Sequence, residues 1–87
     1  MDTILAIDLG KNKSVFCTLN PRSLKTQYRA VRTRPEIFHD LFAELDARHS
    51  MVLFEVGNQA GWVSDMLRTM GLAFKAANTN DPAFDAV

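Results

Sequence analysis

Two acidic residues follow apolar segments of the sequence, where a carboxylate needs compensation. Asp8 comes directly after ILAI, and Glu55 comes directly after MVLF. A carboxylate at the end of a buried strand is costly unless a partner, a cation or a ligand compensates it. Carboxylate oxygens suit Mg²⁺ or Mn²⁺, which bind through few carboxylates and also accept phosphate oxygens. The pair therefore indicates metal-dependent phosphodiester chemistry, in which cations contact the attacking and leaving oxygens.

A structural role for the two acids is an open alternative. Asp8 could cap the following turn through the amides of Gly10 and Lys11, and Glu55 could pair with a nearby arginine. Each arrangement would compensate the charge without any cation. The residue types alone do not choose between the two interpretations.

The elements that would position these acids follow from the apolar pattern. The predicted order is β-β-β-α-β-α-β, with strands at 3–9, 14–20 and 24–32, a helix at 35–48, a strand at 51–56, a helix at 59–70 and a strand at 72–77. The first three strands predict an antiparallel meander, and the first helix would return the chain so that the fourth strand lies parallel to the first. Asp8 and Glu55 would then lie on neighbouring strands of a mixed α/β sheet.

Local signals support the two helices. Thr33 is predicted as the N-cap of the first helix, with Pro35 at its start and Glu36 completing a capping box. Gly71 is placed where a C-cap glycine belongs at the end of the second helix. The first strand, apolar throughout, is predicted to be central and covered on both faces.

The charge distribution is uneven although the formal net charge is zero. Residues 11–34 contain seven of the ten lysines and arginines and no acid, so this stretch carries +7 and the remainder −7. Such asymmetry favours an anionic partner. Solvated outer faces of edge strands explain the same pattern equally well.

Length and composition limit the other classes of protein. Eighty-seven residues fit one small domain, predicted at 1–77 with a tail at 78–87. The apolar runs are too short to span a membrane, and no secretory signal is visible. The single cysteine, Cys17, is expected to be a small core residue. It is also expected to be reduced, and a reduced cysteine favours a cytoplasmic location.

The segments ILAIDLGKNKSVFCTL and VLFEVGNQAGWVSDMLRTMGLAFKAANTND resemble the N-terminal RuvC-like domain of the DEDD transposases and invertases of bacterial insertion sequences. The resemblance covers nearly the whole chain and includes the spacing between the two acids, with Gly57 and Trp62 after Glu55. It implies an RNase H-like (RuvC-like) five-stranded mixed sheet, here without the final helix. It further implies that Asp8 and Glu55 are catalytic and bind Mg²⁺ or Mn²⁺, as the first two members of an Asp-Glu-Asp-Asp site.

The resemblance also sets expectations about activity and partners. The family's last two Asp residues lie in a basic Lys-Thr-Asp-x-x-Asp-Ala segment, whereas Asp81 and Asp85 are four apart and follow no Lys-Thr. Asp81 and Asp85 are therefore interpreted as tail residues, and the chain as a truncated product or an excised fragment that does not cleave efficiently alone. Complete relatives are expected to bind DNA, and a guide-type RNA is a further partner that the family suggests. No membrane partner is expected.

Two other functions fit parts of the sequence. AIDLGKNKS resembles the first phosphate loop of actin-like ATPases and sugar kinases, which would make the chain a fragment of an ATP-binding protein. A non-catalytic module that self-associates through an exposed sheet surface is the other alternative. ATP binding would favour the first of these, and a dimer without DNA affinity would favour the second.

The remaining chemistry-bearing residues receive simpler interpretations. His39 and His49 lack ligand spacing and are predicted to be solvated. Trp62 and the methionines of the second helix are predicted to pack in the core. Four residues could contact nucleic acid or simply be surface residues: Lys11, Lys13, Tyr28 and Arg29.

Overall fold

A computed structural model describes residues 3–77 of the chain, which form one sheet and two helices. The elements are β1 (Thr3–Asp8), β2 (Lys13–Leu19), β3 (Thr26–Arg32), α1 (Pro35–Ala43), β4 (Ser50–Glu55), α2 (Ala60–Thr69) and β5 (Ala73–Ala77). The strands form one five-stranded sheet in the order β3-β2-β1-β4-β5. The predicted β-β-β-α-β-α-β order is confirmed.

The sheet is mixed, and β1 lies at its centre. β1 pairs antiparallel with β2, and β2 pairs antiparallel with β3, as the short turns predict. β4 pairs parallel with the other side of β1, and β5 pairs parallel with β4. The helices α1 and α2 supply the two crossover connections that parallel pairs require.

Both helices pack on one face of the sheet and form the core there. The buried apolar residues include Leu5 and Ile7 of β1, Phe16 of β2, Val52 and Phe54 of β4, Phe38 and Phe42 of α1, and Val63 and Leu67 of α2. Trp62 and Met66 pack against this cluster as predicted. Alternating side chains of β1 and β4 point to the opposite face, where Ala6 and Asp8 are exposed. The prediction that β1 is covered on both faces is therefore wrong for the part of the chain that the structure describes.

The first helix is shorter than the apolar spacing predicts. It ends at Ala43 instead of residue 48, although Leu45 still packs against the core. The side chain of Asp46 accepts a hydrogen bond from the Arg48 amide at 3.0 Å, and the Asp46 carbonyl accepts one from the His49 amide at 3.0 Å. This local turn competes with helical hydrogen bonding, as short polar side chains often do.

The ends of the helices give one wrong and one correct prediction. The N-cap of α1 is Arg34, without a side-chain cap, because the Thr33 hydroxyl donates elsewhere. Gly71 has a φ of 72° directly after α2, and the Leu72 amide donates to the Leu67 carbonyl at 3.0 Å. This geometry is a Schellman-type C-cap, which glycine adopts without steric cost. Among residues 3–77, no helix is long and apolar enough to cross a membrane.

Candidate carboxylate site and basic surface

Asp8 and Glu55 are the last residues of two neighbouring parallel strands. The paired register runs from Thr3 with Ser50 to Ile7 with Phe54, so its continuation by one residue sets Asp8 beside Glu55. Neighbouring strands lie about 4.8 Å apart, and residues opposite each other point to the same face. The sheet thus brings together two carboxylates that are far apart in the sequence.

Both acids are exposed, which corrects the expectation of a buried carboxylate. The expectation fails because Asp8 alternates with the buried Ile7 and points to the face that α1 and α2 leave uncovered. The two side chains consequently do not need a cation to compensate for burial. They do form a local concentration of negative charge that solvent and ligands can reach.

A cleft of about 430 Å³ lies at the carboxyl end of the parallel pair of strands. It is lined by residues 9–11, which follow β1, and by residues 55–59, which run from the end of β4 to the start of α2. We call it the carboxylate cleft. In open α/β sheets, ligands commonly bind outside the carboxyl ends of the strands. A larger cleft of about 470 Å³ lies on the other face, between α1 and the edge strand β3, and contains neither strand acid.

The turn between β1 and β2 is held by hydroxyl groups instead of by Asp8. The Gly10 amide donates to Ser14 Oγ at 3.3 Å, and the Thr33 hydroxyl donates to the Gly10 carbonyl at 2.8 Å. The two hydroxyl oxygens are themselves 2.6 Å apart, and Ser14 is 1% exposed. A Cβ atom at position 10 would overlap with the Lys13 carbonyl oxygen, so only glycine fits this turn. The proposed cap from Asp8 to the Gly10 amide is therefore not formed.

The sequence pattern does not predict this network of Ser14, Thr33 and Gly10. It predicts that Thr33 caps a helix, because Thr33 precedes Pro35 and helical residues follow. The feature that would predict the network is the pairing of β2 with β3. This pairing continues from Lys13 with Arg32 towards the β1–β2 turn. That register brings Thr33 next to the β1–β2 turn, where its amide donates to the Asn12 carbonyl at 3.0 Å.

The seven lysines and arginines of residues 11–34 lie on β2, on β3 and in the adjoining turns. Lys11, Arg32 and Arg34 line a cleft of about 300 Å³ together with Asn12 and Thr33. Lys11 also lines the carboxylate cleft, so the two clefts adjoin.

The remaining candidate residues are not gathered into a site. His39 is exposed on α1, 3.9 Å from the Asp40 carboxylate, and His49 is exposed in the turn before β4. Among residues 3–77, no group of three or more His, Cys, Asp or Glu side chains could hold a metal ion. Asp81 and Asp85 lie outside the described residues. The prediction that the final helix is missing also concerns residues outside this range.

Cys17 and Tyr28 form a pair on the uncovered face of the sheet. Cys17 is half-buried there and is not part of the core, contrary to the prediction. The two residues are direct partners in the register of β2 and β3, and Tyr28 is 73% exposed. The Cys17 side chain raises the pKa of the Tyr28 hydroxyl, mainly by hydrogen bonding and also by the charge of the thiolate.

Comparison with known proteins relates the fold to an integrase core domain and a terminase nuclease. No protein-family model and no curated protein matches the sequence. The catalytic core domain of the BIV integrase superimposes with a TM-score of 0.56 at 7% identity, covering 99% of this chain and 61% of that one. The large terminase nuclease of the thermophilic phage G20c, with bound magnesium, superimposes with a TM-score of 0.55 at 21% identity, covering 98% of this chain and 49% of that one.

These likenesses define the fold. The five-stranded mixed sheet with two helices is an α/β RNase H-like fold, as the sequence resemblance implies. The chain spans about half to three-fifths of the length of these two structures.

Proposed function

We propose that this chain is part of a DNA-processing enzyme of the transposase and nuclease type, and that Asp8 and Glu55 form its divalent-metal site. The observation that carries the proposal is the β1–β4 register, whose continuation by one residue sets the exposed Asp8 beside the exposed Glu55, and Glu55 lines a cleft there. The structural neighbours are an integrase core and a nuclease with bound magnesium, which supports this class of chemistry. The DEDD transposase family is the more specific assignment that we propose from the sequence motifs.

The donor set fits a hard divalent cation. Mg²⁺ usually binds through one or two carboxylates and keeps several water molecules, and two exposed carboxylates offer that environment. A bound cation would polarise a phosphate oxygen and stabilise charge that develops during phosphodiester cleavage. Asp8 and Glu55 would orient the phosphate relative to the sheet edge, and Lys11 would attract its charge. Gly57 and Asn58 line the cleft on the β4 side.

We further propose that residues 1–87 do not cleave DNA efficiently by themselves. Among residues 3–77, the β1–β4 register places two carboxylates side by side, and no group of three or more His, Cys, Asp or Glu side chains could hold a metal ion. Two ligands leave most of the coordination to water, so affinity for Mg²⁺ would be weak. Robust Mn²⁺-dependent cleavage that Asp8→Ala abolishes would contradict this part of the proposal.

The metal site can be tested by a binding measurement that does not require enzymatic activity. Paramagnetic line broadening by Mn²⁺ in NMR spectra of the amide groups should affect residues 8–11 and 55–58 first. Asp8→Asn and Glu55→Gln should each remove this selective broadening. Asp40→Asn is the matched control, since Asp40 is exposed on α1 on the other side of the sheet. Broadening that persists in both cleft variants, or is lost in the control, would refute the assignment.

A further inference from the structure

The cleft that adjoins the carboxylate cleft is cationic. Its lining consists of Lys11, Asn12, Arg32, Thr33 and Arg34, and we call it the basic cleft. Lys11 lines both clefts, so a ligand that passes from one to the other remains in contact with the protein. An acidic site and a cationic site thus lie side by side at the same edge of the sheet.

Little acidic charge opposes the cations of the basic cleft. Residues 11–34 contain no acid, and Lys13 adds a further cation directly opposite Arg32 in the strand register. Within residues 3–77, the ion pair at this cleft joins Arg34 to Glu36 at 3.8 Å, with both side chains more than half exposed. Such a surface pair contributes little, so Arg34 can exchange Glu36 for another anion.

The cleft is also built on a fixed backbone. The Thr33 hydroxyl and Ser14 hold the β1–β2 turn against the junction between β3 and α1. The Thr33 amide donates to the Asn12 carbonyl at 3.0 Å, and the Arg34 amide donates to the Arg32 carbonyl at 2.9 Å. A backbone that is ordered before binding loses less entropy when a ligand arrives.

We propose that the basic cleft binds backbone phosphates of the nucleic-acid strand whose reacting phosphate lies at the carboxylate cleft. The inference rests on the proposed function in taking DNA as that nucleic acid. Arginine forms paired hydrogen bonds with phosphate oxygens, and lysine binds them as a point charge. Contacts of this kind position a strand without reading its sequence.

The test measures binding of a fluorescently labelled single-stranded DNA by anisotropy, in EDTA, over a range of salt concentrations. The variant Lys11→Gln/Arg32→Gln/Arg34→Gln should weaken binding about tenfold at low salt and reduce the magnitude of the negative slope of log K against log salt by about 2. Lys11→Gln alone, at an exposed turn position, should reduce that magnitude by about 0.7. The single variant keeps the test valid if the triple variant does not fold.

The matched control removes the same charge at the other end of the sheet. Arg22 and Lys25 lie in the β2–β3 turn, and Arg48 lies just before β4. Their combined substitution by Gln should change the affinity by less than about threefold, because they lie away from the cleft. An equal loss in both triple variants would overturn the inference, since net charge alone would then explain binding. Absence of DNA binding by the unmodified chain would overturn it as well.

The experiment separates this inference from the proposed function. Binding in EDTA depends on the basic cleft, whereas Mn²⁺ line broadening without DNA depends on Asp8 and Glu55. Selective loss in the basic-cleft variant supports the inference even if Mn²⁺ does not bind. Mn²⁺ binding without cleft-dependent DNA affinity would retain the metal site and overturn the inference. Tighter binding of an RNA of the same sequence would overturn the assignment to DNA.

Discussion

At the scale of single residues, two pairs of neighbouring side chains lie on the uncovered face of the sheet. Asp8 lies beside Glu55 at the strand ends, and Cys17 lies opposite Tyr28 two residues further from that edge. The first pair concentrates negative charge in solvent. The second pair joins a thiol and a phenol, and the thiol raises the pKa of the phenol.

The titration of Tyr28 gives a prediction at this scale. Hydrogen bonding with Cys17 raises the pKa of Tyr28 above the usual value of about 10. A raised pKa in the folded state means that this contribution to stability is complete below pH 10 and is lost as the pH rises through the folded pKa. Because Tyr28 is the only tyrosine, phenolate absorbance reports it alone. The midpoint should be higher in the folded protein than in urea.

Cys17→Ala provides the comparison for this titration. The variant removes the hydrogen-bond partner and should bring the folded midpoint back towards the urea value. Cys17→Ser, which retains a partner of similar shape, should keep part of the increase. A midpoint that does not differ between the unmodified protein and Cys17→Ala would show that Cys17 does not control Tyr28.

At the scale of elements, the β1–β2 turn depends on Thr33. Thr33→Val keeps the shape of the side chain but leaves the Gly10 carbonyl without its donor, at a cost of about 1–3 kcal/mol. Thr69→Val is the matched control, because the Thr69 hydroxyl donates to the Asp65 carbonyl on an exposed part of α2. Its effect should stay within about 0.5 kcal/mol. Urea unfolding followed by circular dichroism measures both, and equal costs would contradict the role given to Thr33.

The packing of α1 on the sheet depends on Phe38. Its ring is fully buried, with ring centroids 4.8 Å from Phe16 and 5.0 Å from Trp62. Phe38→Ala should lower the free energy of unfolding by about 3–5 kcal/mol, a large share of the about 5–15 kcal/mol typical of small domains. Phe74→Ala, at a half-buried position on the edge strand β5, should cost clearly less in the same urea titration. The reverse order would contradict the placement of the core.

The elements that were predictable from the sequence are those that apolar spacing defines. The strands β1 and β4 and the apolar stripe of α2 follow directly from it. The parallel pairing that sets Asp8 beside Glu55 follows from the crossover through α1. The end of α1 was not predictable, because Leu45 continues the helical spacing while Asp46 starts a turn. The use of Thr33 was not predictable either, since a hydroxyl can cap its own helix or reach a distant turn with similar energy.

The prediction that Asp8 and Glu55 are buried failed for a different reason. An apolar run shows that a strand is in the sheet, but it does not show which face later elements cover. The roles of Asp8 and Glu55 in metal binding stay predictions, as do self-association through the uncovered face and binding of a guide-type RNA.

At the scale of the whole molecule, the adjoining clefts couple metal and nucleic-acid binding. Without a cation, the carboxylates of Asp8 and Glu55 should repel a phosphate that Lys11 attracts. Asp8→Asn/Glu55→Gln should therefore strengthen DNA binding in EDTA by about twofold to tenfold, and Mg²⁺ should strengthen binding only in the unmodified chain. Asp40→Asn/Asp46→Asn, with the same charge change elsewhere, is the control. Equal gains in DNA affinity in both double variants would show that the charges of Asp8 and Glu55 have no specific effect on DNA binding.

The central position of β1 has a consequence for how the chain folds. The β1–β2 and β2–β3 hairpins close over a few residues, whereas the pairing of Thr3 with Ser50 must close a long loop. Long-range parallel pairing is slow compared with hairpin closure. We therefore expect the meander to form before β4 docks, which refolding kinetics with substitutions in β2 and β4 would reveal as different φ-values. The two carboxylates would then meet only when β4 docks, so that an intermediate with the meander alone lacks the site.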